Sequence, residues 1–463
     1  LPGLSREAVG RLVADAASEL DPGTLHERTA GNPFFVTEIL SSGLEGVPPT
    51  VRDAVLARVA RLSDDAQRVV AAAAVLGSRI DLSVLERMLP GIVEDPQAAL
   101  EACLAAGMLI EGDGLGEVAF RHELAREALL DSLSATRRRG LHRRALEVLL
   151  DREGVDPAVL AHHGEGASDA AVVLRHAPEA ARRAAQGHAH REAAAQYARA
   201  LRFAGALAPA DRAELLEAFA TESHIVDAHG AAVEAWQEAI DLRKAAGDVR
   251  RVALDLARMA SPWVALGRND AAGRAAQEAI DQLEPLAPEW AHAVVRETRA
   301  AIRMLDRDAA QALEEGRHAL ALAERLDHAP TRIRAHNTVG SALLFLDQAE
   351  AAEEHLRASL RLARETGDDL RAASAYVNLG SGFGEIHRLV DARRYLDEGI
   401  AYCRERDFDA SRLYMSAWSA LVDVRLGQWQ RAAETALEVV RWTGVSTISK
   451  ITALVALGLV RAR

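Results

Sequence analysis

Over most of this chain apolar residues recur at i, i+3 and i+4, the spacing of one helix face. Ala231-Ala232-Val233-Glu234-Ala235-Trp236-Gln237-Glu238-Ala239-Ile240 is representative. From residue 177 onward the pattern itself repeats. Branched aliphatics stand at Leu201, Ile240, Ile280, Leu320, Leu360, Ile400 and Val440, 39 or 40 apart. Eight residues before each lies an alanine: Ala193, Ala232, Ala272, Ala312, Ala352, Ala392 and Ala432. Twelve residues before that every position is small: Ala181, Ala220, Ala260, Ala300, Gly340, Gly380 and Ala420. Three columns held over seven units predict a helix pair per unit. The small residue of the first helix lets the second approach closely, an alanine faces it, and the aliphatic residue closes the core. Gly247, Gly367, Gly267 and Gly427 supply turn signals. Residues 451–463 read as the first helix of an eighth unit.

The first part of the chain follows other rules. Residues 4–44 carry two short helical patterns, then Thr29 to Leu40, where Asn32-Pro33 starts a helix with Phe34 and Phe35 as buried anchors. Val47-Pro48-Pro49 is a break. Helices are predicted over 50–62, 64–76, 81–89 and 95–107. Two extended runs, 108–110 and 117–120, flank the loop 111–116, and a last helix begins at Arg121. Helices followed by a two-stranded hairpin and a helix outline a winged helix. Residues 137–176 read as a helical connector.

Composition narrows the function. The 463 residues are 49% hydrophobic and 27% charged, without an apolar run long enough for a membrane span. No signal peptide is legible at Leu1-Pro2-Gly3-Leu4. The net charge of −13, with two lysines (Lys244 and Lys450), makes the chain a poor reader of phosphate backbones. Cys103 and Cys403 form neither a disulfide framework nor a zinc pattern, so a reducing cytoplasm is expected. Low aromatic content (4%) and abundant alanine favour close-packed helices over β-sandwiches.

Two resemblances follow from these residues. Ala193-x-x-x-Tyr197-x-x-Ala200 and Ala232-x-x-x-Trp236-x-x-Ala239 resemble the tetratricopeptide repeat, with each helix about a turn longer than usual. The stretches Gly31-Asn32-Pro33-Phe34-Phe35-Val36-Thr37-Glu38, Val47-Pro48-Pro49-Thr50-Val51-Arg52, Asp65-Ala66-Gln67-Arg68 through Ala73-Ala74-Val75-Leu76-Gly77, and Phe120-Arg121-His122-Glu123-Leu124 with Arg126-Glu127-Ala128 look like STAND-class signal-transduction ATPases. The likeness is to the large LuxR-type, MalT-like transcriptional regulators. It implies a mainly α fold: a helical lid remnant over 1–46, a winged helix over 47–136, the connector 137–176, and a tetratricopeptide-like right-handed α-superhelix over 177–463. The phosphate-cradling G-x-x-x-x-G-K-[ST] loop is absent, and the chain ends before any helix-turn-helix. The expectation is therefore a piece of a longer protein that does not hydrolyse ATP alone. ATP or ADP would bind the full-length parent, with none held by this piece. DNA would be contacted only through a helix-turn-helix outside it, and self-association would follow activation. The same lid and repeats also occur beside adenylate cyclase or kinase domains, and a protein-binding scaffold is a third reading.

By the same resemblance Gly31-Asn32-Pro33 matches a GxP motif whose proline packs on adenine, and His122 stands where a winged-helix histidine touches the β-phosphate of ADP. The bland alternatives are a helix-starting proline and a histidine capping or packing under a helix. His162, His163, His188 and His190 lack the pairing with a carboxylate that zinc sites show, so no metal is expected. Arg137-Arg138-Arg139 with His142-Arg143-Arg144 reads as a solvated face or domain contact. Counting from the small column places Glu217, Thr221, Ser261, Glu297, Arg334, Asn337, Ser341, Ser381 and Tyr414 on the concave side. There they would meet a small-molecule, peptide or protein effector, unless they are solvated positions with no ligand.

Overall fold

The computed structural model describes residues 3–16, 20–29, 31–42, 51–112, 114–406, 408–442 and 444–462. The Val47-Pro48-Pro49 break and the Phe34 side chain fall outside what is described. The chain divides into two compact units, residues 1–180 and 181–463.

The first unit holds two cores. In the smaller, the helices Arg6–Asp15, Pro22–Thr29 and Pro33–Ser42 enclose Val9, Val13, Leu25, Phe35, Val36 and Ile39. The larger is organised on the helix Asp64–Leu76, whose residues from Val69 to Val75 are all buried, as expected of a helix enclosed on every side. Ser63 caps it by accepting from the Ala66 amide. The helices Leu82–Met88 and Pro96–Ala105 follow, capped by Asp81 and Asp95. A sheet then closes one side. Only two strands were expected, over 108–110 and 117–120; they form at Leu109–Glu111 and Glu117–Phe120, and Arg79–Asp81 adds a third. It pairs antiparallel with Glu117–Phe120, Ile80 opposite Val118, so the late strand lies between the other two. Three residues with one apolar side chain, Ile80, are too short to show an alternation. The helix expected from Arg121 starts at Glu123. The helices Ala135–Leu150 and Pro157–Ala167 put Leu141, Ala145, Leu146 and Leu160 into the same core as Val69 and Leu85. The segment expected as a connector is thus also part of that core, and the helix Ala170–Gln186 runs through residue 177.

The second unit is an array of antiparallel helix pairs, from Pro209–Ile225 with His229–Ala245 to Asp409–Arg425 with Trp429–Arg441, followed by the single helix Thr447–Arg461. The seven column alanines, Ala193 to Ala432, are all 0% exposed. The small column is buried throughout. At Gly340 a Cβ would come within 2.6 Å of Leu356 Cγ and 3.0 Å of the Ala352 carbonyl, so the backbones of the two helices meet there. The aliphatic column behaves differently from expectation. Ile240 and Leu320 are buried, whereas Leu201, Ile280, Leu360, Ile400 and Val440 are half-buried. The enclosed position is one residue earlier, at Ala200, Ala239, Ala279, Ala319, Ser359, Gly399 and Val439. One helical step is about 100° of rotation, enough to move the aliphatic from the centre of the interface to its edge.

The turn inside each pair has its own column. His188, Asp227, Gly267, Arg307, Asp347, His387 and Gly427 all have φ between +59° and +78°. The next amide then bonds the carbonyl five residues back, as in Arg268 to Trp263 at 2.8 Å and Gln348 to Leu343 at 3.0 Å, which satisfies a helix-end carbonyl. The array also turns back on itself. His188 Nε2 lies 3.7 Å from Asp369 Oδ2, and the His190 ring stacks against Phe408 with centroids 6.4 Å apart.

Candidate functional site

Two groups of residues were singled out for ligands, and they sit in different places. Gly31 has φ +69°, a conformation that disfavours a side chain, and a Cβ there would collide with the Leu4 backbone. The Leu4 amide donates to the Gly31 carbonyl at 2.6 Å, and the Gly31 amide donates to Thr29 Oγ1 at 3.3 Å. Asn32 Oδ1 accepts from the Phe35 amide at 3.4 Å, so it caps the helix that Pro33 begins. The motif is therefore a tie between the chain's first helices, which leaves Asn32 and Pro33 exposed. His122 belongs to the larger core's periphery. It is half-buried in extended conformation and occupies the N-cap of the helix Glu123–Ser132 without a side-chain cap bond. Glu123 already lies in that first turn, where it accepts from Ser78 Oγ at 2.6 Å and pairs with Arg126. These partners hold its carboxyl below the usual range. An anion at this helix end would lie beside a carboxylate already engaged by Ser78 and Arg126.

The polar residues of the repeat array lie on the first helices of the pairs. Glu217 gathers Arg243 Nη2 at 2.6 Å and Arg251 Nη1 at 3.3 Å, and it also pairs with Arg258. Arg243 pairs in addition with the fully buried Asp255, whose carboxyl burial pushes up to about 6. Two pairs beyond Glu217, Glu297 is 2% exposed, ion-pairs with Arg334 Nη2 at 2.5 Å and accepts from Thr338 Oγ1 at 3.0 Å. Arg334 also donates to Thr298 Oγ1 at 3.3 Å. Burial and the charge of Arg334 lower both Arg258 and Arg371, the latter to about 10, so both guanidinium groups lie within the field of Arg334. Asn337 Oδ1 is buried without a hydrogen-bond partner. Ser341, Ser381 and Thr221 instead spend their hydroxyls on their own helices, on the carbonyls of Asn337, Val377 and Glu217. Ser261 is exposed and Tyr414 half-buried.

Glu297 and Arg334 are thus brought together as neighbours, with Ser341 on the helix that carries Arg334, while Ser261, Ser381 and Tyr414 are dispersed among other helices. Arg258, Thr298 and Thr338 were missed, although they stand 40 apart, two residues before the small column, and a polar column at that register was readable. Arg371 carried no periodic signal.

The histidines do other things. His142 and His163 face each other with Nδ1 atoms 3.1 Å apart, and burial pushes them down to about 4 and about 3. His190 Nδ1 is 2.8 Å from Glu222. Among the described residues no group of three or more His, Cys, Asp and Glu is placed to hold a metal ion. Arg144 donates to the carbonyls of Met88 and Pro90 at the end of the helix Leu82–Met88, which makes it an internal contact.

Residues 331–405 match the tetratricopeptide repeat family. No curated protein matches the chain. Several solved structures are distantly similar. One is a signal transduction ATPase with numerous domains (STAND) carrying a tetratricopeptide repeat sensor, from Pyrococcus horikoshii (14% identity, TM-score 0.43, covering 100% of this chain and 69% of that one). Another is a Rap protein complexed with competence and sporulation factor (13%, TM-score 0.45, 71% and 95%). A third is aspartyl phosphate phosphatase F from Bacillus subtilis (11%, TM-score 0.45, 83% and 96%). No helix of the described residues is long and apolar enough to cross a membrane.

Proposed function

We propose that this chain is the regulatory and sensing part of a nucleotide-switched STAND regulator of transcription of the LuxR type. Its repeat array takes an effector peptide or small molecule on the first-helix face. The observation that carries the reading is the ion pair of Arg334 with the buried Glu297, with Arg258 and Arg371 both within reach of the Arg334 charge. A buried ion pair gains little stability over apolar packing, so a charged cluster retained at a helical crossing favours recognition as its use. The three-stranded sheet with its preceding helices supports the winged-helix reading of residues 47–136. The exposed Pro33 is free to meet an adenine ring in the parent protein, and His122 would face the phosphates. Nucleotide would hold the closed state, and effector binding would favour an open, self-associating one, which requires a difference in affinity between the two states.

In the complete parent protein, His122→Ala should lower the ADP that copurifies and raise basal reporter output, while Arg334→Ala should blunt the effector response and leave ADP occupancy unchanged. Loss of both responses together from either substitution, or of neither, would remove the division of labour proposed here.

A further inference from the structure

The helices Ala349–Thr366 and Leu389–Arg404 are the second helices of neighbouring pairs, on elements that the effector face does not use. Between them lies a groove of about 490 Å³ lined by Arg357, Arg361, Arg364 and Arg394, with Leu360, Tyr376 and Tyr395 among its apolar residues. Both tyrosines are 5% exposed, whereas all four arginines are exposed. Tyr395 donates its hydroxyl to Glu353 at 2.7 Å, which leaves that carboxylate 3.5 Å from Arg394. Arg361 leans on Glu365 at 3.8 Å. No carboxylate of the described residues makes an ion pair with Arg357 or Arg364.

The repeat register shows that this charge is local. The corresponding four positions of the preceding groove are Arg317, Ala321, Glu324 and Glu354, and those of the following groove are Asp397, Ala401, Arg404 and Glu434. One groove earlier still they are Gln277, Asp281, Glu284 and Glu314. A register that carries carboxylates in its neighbours therefore carries only arginine here, in a chain of net charge −13. Arg357 and Arg361, four residues apart, stand about 6 Å apart along the helix axis. Alternate side chains of an extended strand are separated by about 6.7 Å.

We propose that this groove binds an acidic, extended segment of a protein partner, with carboxylates two residues apart seated on Arg357 and Arg361 and intervening backbone lying over Leu360 and Tyr395. Guanidinium groups suit carboxylates because they offer paired donors in a plane. Glu365 and Glu398, which also line the groove, disfavour a compact polyphosphate and favour carboxylates spaced along a chain.

Fluorescence anisotropy tests it with the full chain and a labelled peptide carrying glutamate at alternate positions, Gly-Glu-Ala-Glu-Ala-Glu-Gly. Saturable binding that weakens with added salt is expected. Arg357→Glu with Arg361→Glu should weaken it about ten-fold, as reversal of two charge pairs would. Arg317→Glu, at the equivalent place in the preceding groove, should leave it unchanged. Circular dichroism and an Arg357→Gln, Arg361→Gln pair separate lost contacts from lost folding. Equal binding of the lysine-substituted peptide overturns the proposal, as does equal loss in Arg317→Glu. So does binding that survives the double reversal but is lost in Arg334→Ala, which would seat the peptide on the effector face. Inorganic phosphate or oligothymidylate competing with the peptide at equal affinity would mark a phosphate site and overturn the peptide reading.

Discussion

Asp347 stands at φ +59°, in a turn position that five of the seven pairs fill with something other than glycine. A left-handed conformation costs an L-residue about 1–2 kcal/mol, with Asp and Asn the mildest cases because their side chains bond locally. The array tolerates this because the Gln348 amide reaches the Leu343 carbonyl only through that turn. Asp347→Gly should therefore stabilise the array by about 0.5–1 kcal/mol, and Asp347→Val should destabilise it by at least about as much, since a β-branched residue at positive φ is strained further. Urea unfolding of the three proteins should rank Gly above Asp above Val, and the reverse rank would mean that the turn is not what limits the pair. This column was invisible in the sequence because His188, Asp227, Arg307, Asp347 and His387 share no chemistry, only a backbone angle. The alanine column was visible for the opposite reason, since a helix crossing this close admits almost one side chain.

At the scale of elements, the helices Ala135–Leu150 and Pro157–Ala167 are joined through His142 and His163. The ring of His142 also fills the space where Gly166 would carry a Cβ. With their nitrogens face to face, one ring donates and the other accepts, so the contact requires the accepting ring to be neutral, and burial disfavours charge on either ring. An unfolded histidine titrates near 6.5, whereas these two are pushed down to about 4 and about 3, chiefly by burial. The unfolded chain therefore binds more protons between these values, and stability present above about pH 6.5 is lost as the pH falls through that window. Hydrogen exchange in these two helices, corrected for its intrinsic pH dependence, should accelerate from pH 7 to pH 5, and His163→Gln should flatten the response. A pH-independent rate in the unsubstituted protein would show that the rings are not neutral when folded. The short strand Arg79–Asp81 belongs to this scale too. It exists because Glu117–Phe120 offers it an edge, a fact that no local alternation records. The paired Glu297 and Arg334 were placed on one face by their register, but Arg371, on another pair, joins them only once the array has folded.

For the whole molecule, the period of 39 or 40 residues determines how damage should spread. Each pair rests on its neighbours, so stability is close to a sum of local terms. Ala352 is 0% exposed, and Gly340 approaches its carbonyl across the crossing. Leucine at 352 would add three carbons where the two backbones nearly touch, and overpacking of this kind typically costs about 1–3 kcal/mol. The helices Ala329–Phe345 and Ala349–Thr366 would have to separate, and the next pair, Asp369–Glu385 with Leu389–Arg404, would lose part of the surface it packs on. Hydrogen exchange of Ala352→Leu should therefore rise over residues 320–400, fall back toward normal at Pro209–Ile225, and leave residues 51–135 of the first unit unchanged. The acidic peptide's groove lies inside the affected span, so its affinity should drop in the same variant while the pH response of His142 and His163 persists. A uniform rise across both units would mean that they unfold as one cooperative body, and no rise at residues 349–366 would mean that this crossing has room the alanine column denies.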